Sequence, residues 1–145
     1  MSTPNRRRVI AGNWKMYKTQ ADTRAFFAAV KPLVAGVSDC DMVIAPPFTD
    51  IPAAVEAAKG TPIGISSQDV FWEKEGAFTG QISTAMLVEA GCRYTIVGHS
   101  ERRQFFGDTM RRCRRRRMRL WRQDLRRSCA WGRCLQTGRR ATPRK

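Results

Sequence analysis

Two groups of residues in the sequence carry side chains that could bind or transform a small anionic molecule. Asn13 and Lys15 follow one short apolar run, and the single histidine of the chain, His99, follows another and precedes Ser100 and Glu101. An amide and an ammonium can hold an anionic substrate, and a neutral imidazole can donate a hydrogen bond to a carbonyl oxygen. Taken singly these are weak signals, because a lone histidine is structural about as often as it is functional.

The apolar runs before these residues predict buried strands. They cover residues 9–11, 42–45, 62–66 and 94–97, and each is continuously apolar, as in strands that are covered on both faces. Strands of this kind belong to parallel sheets, and the carboxyl ends of parallel strands meet at one edge where ligands bind. The two groups of polar residues are therefore expected to lie at the same edge.

Helical patterns separate the runs. Residues 19–34 carry aromatic and aliphatic side chains at helical spacing, Asp50 is placed to cap a helix over 51–59, and further helices are predicted over 83–90 and 101–106. Ser100 is the predicted cap of the last helix, whose positive end would help to keep His99 neutral. Four alternations of strand and helix predict parallel βα units.

The charge of the chain is concentrated in its last quarter. Of a net charge of +15, residues 1–109 contribute +1, from 12 basic and 11 acidic side chains, and residues 110–145 contribute +14, from 15 basic side chains and Asp124. We therefore divide the chain into an α/β part, residues 1–109, and an Arg-rich tail, residues 110–145, that forms no domain. The tail is expected to be disordered, and an arm that binds nucleic acid or an anionic surface is the alternative interpretation.

The remaining composition excludes several classes of protein. Five cysteines, an odd number without regular spacing, argue against a disulfide framework, and Cys129 and Cys134 lack the second ligand pair of a zinc site. The polar, basic residues 1–8 are unlike a signal peptide, and no apolar run approaches the roughly 18 residues of a membrane span. We expect a cytoplasmic protein without a metal, a cofactor or a membrane contact.

Four motifs together resemble the triosephosphate isomerase family. They are Ala-Gly-Asn-Trp-Lys-Met at 11–16, Ala-Pro-Pro at 45–47, Gly-Ala-Phe-Thr-Gly-Gln-Ile-Ser at 76–83 and Val-Gly-His-Ser-Glu-Arg-Arg at 97–103. The resemblance runs over residues 6–109 and implies an incomplete (βα)8 barrel of about four βα units. It also implies interconversion of dihydroxyacetone phosphate and D-glyceraldehyde 3-phosphate through an enediolate, a reaction of glycolysis and gluconeogenesis that needs no cofactor.

Site roles follow from the same resemblance. His99 would be the catalytic electrophile that polarises the substrate carbonyl, and Asn13 and Lys15 would bind the substrate. Lys15 would also stabilise the charge of the phosphate and of the enediolate. Glu101 would hold Lys15 in place, with Ser100 beside it in the supporting shell.

The resemblance also implies a homodimer. Residues 68–82 match the loop that reaches into a neighbouring subunit, where Thr79 would touch the partner's active site. For the aromatic residues Trp14, Phe78 and Tyr94 we favour simple packing.

The second half of the family pattern has no counterpart after Thr109. A complete barrel takes about 250 residues, and the family's catalytic base is a glutamate on a later strand, whereas the last glutamate of this chain is Glu101. The lid and the later phosphate loops have no match either, so we expect no appreciable isomerisation by this chain. Two open sheet edges, near Val9 and near Tyr94, would leave it marginally stable unless a second chain supplied the missing strands.

A displaced reading frame accounts for the tail. When the tail codons are re-read one base out of register, residues 121–141 permit a sequence that resembles the family's fifth strand and the turn after it. We therefore hypothesise a frameshift near Thr109, either in the gene or in its sequencing. Nucleic-acid binding through such a tail would be incidental.

Overall fold

The computed structural model describes residues 7–122 of the chain, and these form a curled half-barrel of four parallel strands with helices. The strands lie in the order β1-β2-β3-β4, so each successive strand is added to the same edge of the sheet. This confirms the predicted α/β fold with about four βα units. The elements are β1 (Arg8–Asn13), α1 (Gln20–Val34), β2 (Cys40–Ala45), a 3-10 turn (Phe48–Asp50), α2 (Ile51–Ala57), β3 (Ile63–Ser67), α3 (Thr84–Glu89), β4 (Tyr94–Thr95), α4 (Ser100–Phe105) and α5 (Met110–Arg122).

The core lies between the sheet and its helices. Phe27 of α1, Ile51 of α2 and Ile65 of β3 are almost fully buried, and Leu87 of α3 belongs to the same cluster. Burial of each such side chain contributes about 1.5–3 kcal/mol relative to leaving it in water. The core therefore fixes the order of the strands and, with it, the edge at which their carboxyl ends meet.

The two outer strands differ from the central pair. β1 was predicted to be buried on both faces, but Val9 and Ile10 on it are 39% and 64% exposed. Within the described residues β1 and β4 pair with only one neighbour each, β2 and β3 respectively. The prediction of burial was wrong for β1 because an apolar run reports a strand's composition and does not show whether a second strand covers it.

Two helices start at side-chain caps that we did not predict from the sequence, Thr19 for α1 and Ser83 for α3. The Thr19 hydroxyl accepts from the Asp22 amide at 3.4 Å and the Asp22 carboxylate accepts from the Thr19 amide at 2.9 Å, which is a capping box for α1. The Ser83 hydroxyl accepts from Met86 N and starts α3. Asp50, by contrast, makes no capping hydrogen bond to α2 and instead accepts from two nearby threonine hydroxyls.

The basic tail begins as a helix. We expected disorder from residue 110 onward, but residues 110–122 form α5, and Cys113 and Arg116 on it are buried. Burial of Arg116 is possible because two buried carboxylates, those of Asp69 and Asp108, lie within ion-pair distance of it. The rest of the predicted tail, including Cys129 and Cys134, lies outside the described residues. In the described part of the chain no helix is long and apolar enough to cross a membrane.

Candidate active site at the carboxyl ends of the strands

The loop after β1 holds its lysine in an unusual backbone conformation. Asn13 ends β1, and its side-chain oxygen accepts a hydrogen bond of 3.0 Å from the amide of Lys15. Lys15 has φ +56°, in the left-handed region that residues other than glycine seldom occupy. Strained residues of this kind concentrate at functional sites, where surrounding contacts must hold them.

Gln68 supplies such contacts from the neighbouring strand end. Its side-chain nitrogen donates to the carbonyl of Lys15 at 2.8 Å and to the carbonyl of Ala45 at 2.9 Å. Gln68 directly follows β3, so one amide ties the ends of three strands together. Our interpretation of the sequence placed Gln68 only in a loop toward a partner subunit. Its position directly after a buried strand is the signal that could have identified it.

The loop after β4 presents the histidine at the start of α4. His99, and not Ser100 as predicted, is the capping residue, because its Nδ1 accepts from the backbone amide of Glu101 at 3.3 Å. Ser100 is the exposed first residue of the helix. In the neutral imidazole, a ring nitrogen that accepts a hydrogen bond leaves the proton on the other one. His99 would therefore offer Nε2–H as a donor.

An ion pair joins these two loops. Lys15 Nζ lies 2.6 Å from Glu101 Oε1, and Glu101 Oε2 lies 3.5 Å from His99 Nδ1. The hydrogen bond and charge of Glu101 raise the pKa of Lys15, and the hydrogen bond from Lys15 lowers the pKa of Glu101. Both groups are thus held in their charged forms. Because both side chains are well exposed, the pair acts mainly to orient the ammonium.

The arrangement combines a fixed cation, an amide and a hydrogen-bond donor at one edge of the sheet. Such a set can bind an anionic group through Lys15 while the His99 ring donates to a neighbouring oxygen. The structure thus brings together Asn13, Lys15, His99 and Glu101 in the arrangement suggested by the sequence. No group of three or more metal-ligating side chains occurs within residues 7–122.

The remaining residues singled out in the sequence lie elsewhere. Thr79 is exposed on the loop 68–82 and lines a separate cleft beside α5. Trp14 meets Phe26 edge to face with ring centroids 5.1 Å apart, which agrees with a packing role. Packing also describes Phe78, 4.7 Å from the ring of Phe71, and Tyr94, whose ring fills the space beside Gly64.

Comparisons with known proteins agree on one family. A family model described as triosephosphate isomerase matches residues 8–139. The chain is 56% identical over 104 residues to a triosephosphate isomerase of Solibacter usitatus, covering 72% of this chain and 42% of the relative. It is 47% identical over 120 residues to one of Moorella thermoacetica, covering 83% of this chain and 48% of the relative. The crystal structure of triosephosphate isomerase from Bartonella henselae superposes with a TM-score of 0.73 and 32% identity, over 80% of this chain and 48% of that one. The chain thus spans about half the length of the proteins it matches.

Proposed function

We infer that this chain, which belongs to the triosephosphate isomerase family, forms the Asn13–Lys15–His99 part of a site for a phosphorylated triose. The reaction proposed for the complete site is the interconversion of dihydroxyacetone phosphate and D-glyceraldehyde 3-phosphate. The observation that carries the proposal is the 2.6 Å contact between Lys15 and Glu101, since it joins the loops after β1 and β4 around His99.

Each side chain has a chemical task in this proposal. The Lys15 ammonium attracts the phosphate and the negative oxygen of an enediolate, and the Nε2–H of His99 donates to the carbonyl oxygen on which that charge develops. Asn13 and Gln68 keep Lys15 in its strained conformation, through hydrogen bonds of 3.0 Å and 2.8 Å. These groups stabilise the enediolate, whereas removal of a proton from carbon needs a base.

The proposed binding of the triose phosphate needs no catalytic base, whereas its isomerisation does. No glutamate follows Glu101 in the sequence, and Glu101 itself is engaged by Lys15. A positioned base contributes roughly 10²–10⁴ in rate. We therefore propose that the chain binds the triose phosphate and is inactive as an isomerase by itself. A coupled assay should give a rate at background for the chain alone, and a rate well above background would contradict this part of the proposal.

Calorimetric titration with dihydroxyacetone phosphate tests the binding step. We compare the full chain with Lys15→Met and with Lys18→Met, because Lys18 is a nearby lysine that also has a positive φ, 78°, and lies over the Trp14 ring. Loss of a charge-assisted contact should weaken binding about tenfold or more in Lys15→Met. Lys18→Met should bind within about twofold of the unchanged chain. Equal losses of affinity in the two variants would mean that Lys15 acts only through the net charge of the chain, which would contradict its place in the site.

The proposal also includes the oligomeric state of the chain and its cellular compartment. We propose that the chain forms a homodimer through the loop 68–82, on which Thr79 is exposed, and that it acts in the cytoplasm in glycolysis and gluconeogenesis. Sedimentation of the full chain, compared with Thr79→Arg, tests the interface. A monomer at micromolar concentration would overturn this assignment, and so would a dimer that Thr79→Arg leaves unchanged.

A second candidate function rests on the exposed face of α5. Arg111, Arg114, Arg115 and Arg117 are exposed on one helix, a spacing suited to phosphate contacts. We propose only incidental binding of nucleic acid there. Affinity for DNA should fall steeply with salt and show no sequence preference. A strong preference for one sequence would instead support a dedicated role.

The frameshift is a proposal about the gene. Nucleotide sequence across codons 105–115 should show that one inserted or deleted base restores the family pattern after Thr109. If no single change of that kind does so, the frameshift proposal fails.

A further inference from the structure

Two backbone carbonyl groups flank His99, one in the peptide bond before it and one in the peptide bond after it, and both accept hydrogen bonds from Arg103. The guanidinium of Arg103 donates through Nη1 to the carbonyl of Gly98. The backbone amide of Arg103 donates to the carbonyl of His99 at 3.2 Å. Because each peptide group is planar, its orientation is set by the dihedral angles on either side of it. One residue therefore restrains both backbone angles of His99.

The peptide before His99 lies in a turn that needs such a restraint. Gly98 is buried and has φ +71°, in the left-handed region. Glycine adopts this region at little steric cost, but it also has more conformations to lose on folding than any other residue. A hydrogen bond to the Gly98 carbonyl therefore selects one orientation of this peptide among those that glycine allows.

The imidazole ring of His99 is held by a separate contact. Its Nδ1 accepts from the backbone amide of Glu101 at 3.3 Å. That hydrogen bond forms only when the backbone of His99 directs the ring toward the first turn of α4. The direction in which Nε2–H points therefore depends on the amide of Glu101 and on the two hydrogen bonds from Arg103.

The two consecutive arginines of α4 differ in their contacts. Arg102 lies 2.9 Å from Asp69 and 3.2 Å from Asp108, so its guanidinium is engaged by carboxylates. In the part of the chain that the structure describes, no carboxylate forms a salt bridge with Arg103. Its half-buried guanidinium donates instead to the Gly98 carbonyl. A charged donor makes a stronger hydrogen bond than a neutral one, which suits it to hold a backbone turn.

We propose that Arg103 is a positioning residue for His99, because its two hydrogen bonds hold the peptide groups on either side of His99 and so direct Nε2–H toward the substrate. This inference rests on the proposed function, in which that N–H donates to the carbonyl oxygen of the triose phosphate. The phosphate is bound by Lys15, on the loop after β1. Loss of the Arg103 guanidinium should therefore impair recognition of the carbonyl and leave recognition of the phosphate intact.

Calorimetric titration with two ligands separates these two kinds of recognition. Dihydroxyacetone phosphate carries the carbonyl, whereas glycerol 3-phosphate carries the same phosphate with a hydroxyl in place of the carbonyl. We expect Arg103→Met to bind dihydroxyacetone phosphate about threefold to tenfold more weakly than the unchanged chain, and glycerol 3-phosphate within about twofold. Arg103→Lys supplies a charged donor again and should recover most of the lost affinity.

The matched control is Arg24→Met. Arg24 is an exposed arginine of α1 whose guanidinium donates to the side chain of Gln20 at 3.4 Å, so its removal takes away the same charge and one hydrogen bond outside the site. Arg24→Met should bind both ligands as the unchanged chain does. Circular dichroism verifies that each variant is folded.

Nitrogen NMR of His99 tests the same role without a ligand. At about pH 8, where an ordinary imidazole is neutral, the Nδ1 shift in Arg103→Met should move toward that of a free neutral imidazole, because the hydrogen bond from Glu101 loosens. Arg103→Lys and Arg24→Met should keep the shift of the unchanged chain.

Three results would overturn this role of Arg103. They are an Nδ1 shift that Arg103→Met leaves unchanged, equal losses of affinity for the two ligands, and a general loss of folded structure in Arg103→Met. A different result would contradict the proposed function, namely an unchanged chain that does not bind dihydroxyacetone phosphate. The Nδ1 shift measured without ligand would then still decide whether Arg103 holds His99.

Discussion

Arg116 provides a stability test of the packing of α5. It is 3% exposed, lies 3.5 Å from Asp69 and contacts Asp108, so Arg116→Met leaves two buried carboxylates to share Arg102. Removing one partner of a buried ion pair costs about 3–5 kcal/mol, because the other charge stays buried without compensation. Since Arg102 still pairs with both aspartates, we expect the lower end of that range, about 3 kcal/mol of unfolding free energy.

Urea unfolding of the full chain at neutral pH measures this loss. Arg117→Met removes a neighbouring exposed arginine and should change the unfolding free energy by no more than about 0.5 kcal/mol. The double variant Arg116→Met/Asp108→Asn should lose less than the sum of its two single variants, because it strands less buried charge. A loss in Arg116→Met no larger than in Arg117→Met would refute the reasoning, and strictly additive losses would argue against direct pairing with Asp108.

The loss of unfolding free energy in Arg116→Met should depend on pH, and Asp69 determines the sign of that dependence. Burial raises the pKa of Asp69, so this carboxyl stabilises the fold fully below its unfolded value of 3.8 and loses that contribution as pH rises through its folded pKa. The charge of Arg116 acts to lower that pKa, and Arg116→Met should therefore raise it further. The deficit of the variant should shrink as pH falls from neutrality toward 4. A deficit that grows on acidification would contradict the assignment.

Three further substitutions test the site and its frame. Gln68→Ala removes two hydrogen bonds to backbone carbonyls and should cost about 1–3 kcal/mol of unfolding free energy, whereas Gln104→Ala, at an exposed position, should cost almost nothing. Glu101→Gln should lower the pKa of Lys15 toward its ordinary value, as followed by NMR of labelled lysine, and an unchanged pKa would argue against the ion pair. Thr19→Ala breaks the capping box of α1 and should cost about 1 kcal/mol in urea unfolding, with no measurable loss indicating that the cap is redundant.

The sequence predicted the order of the elements well because each strand is a continuous apolar run between clear helix signals. The helix predicted over residues 19–34 is an example, because the capping box at its start joins Thr19 to Asp22, only three positions away. Asp50 shows the limit of such local reasoning. Its carboxylate accepts from the hydroxyl of Thr23, 27 residues away in the sequence, so the predicted cap of α2 does not form.

The candidate site shows the same contrast between local sequence signals and contacts made by residues far apart in the sequence. Asn13, Lys15 and His99 could be predicted because they lie at or just beyond the carboxyl ends of β1 and β4, where parallel sheets bind their ligands. The role of Gln68 depends on the left-handed backbone of Lys15, which no local pattern reveals. The ordering of α5 escaped prediction as well, because Arg116 finds its carboxylates on two other segments of the chain.

Nitrogen NMR of the single histidine tests the central claim most directly, because labelled histidine gives one set of ring signals, those of His99. At about pH 8, where an ordinary imidazole is neutral, we expect the Nε2–H tautomer and a saturable shift on addition of dihydroxyacetone phosphate. Lys15→Met should abolish that shift, because the cation that holds the ligand beside His99 comes from the loop after β1. Ring signals that do not respond to the ligand, or that respond equally in Lys15→Met, would contradict a shared site at the ends of β1 and β4.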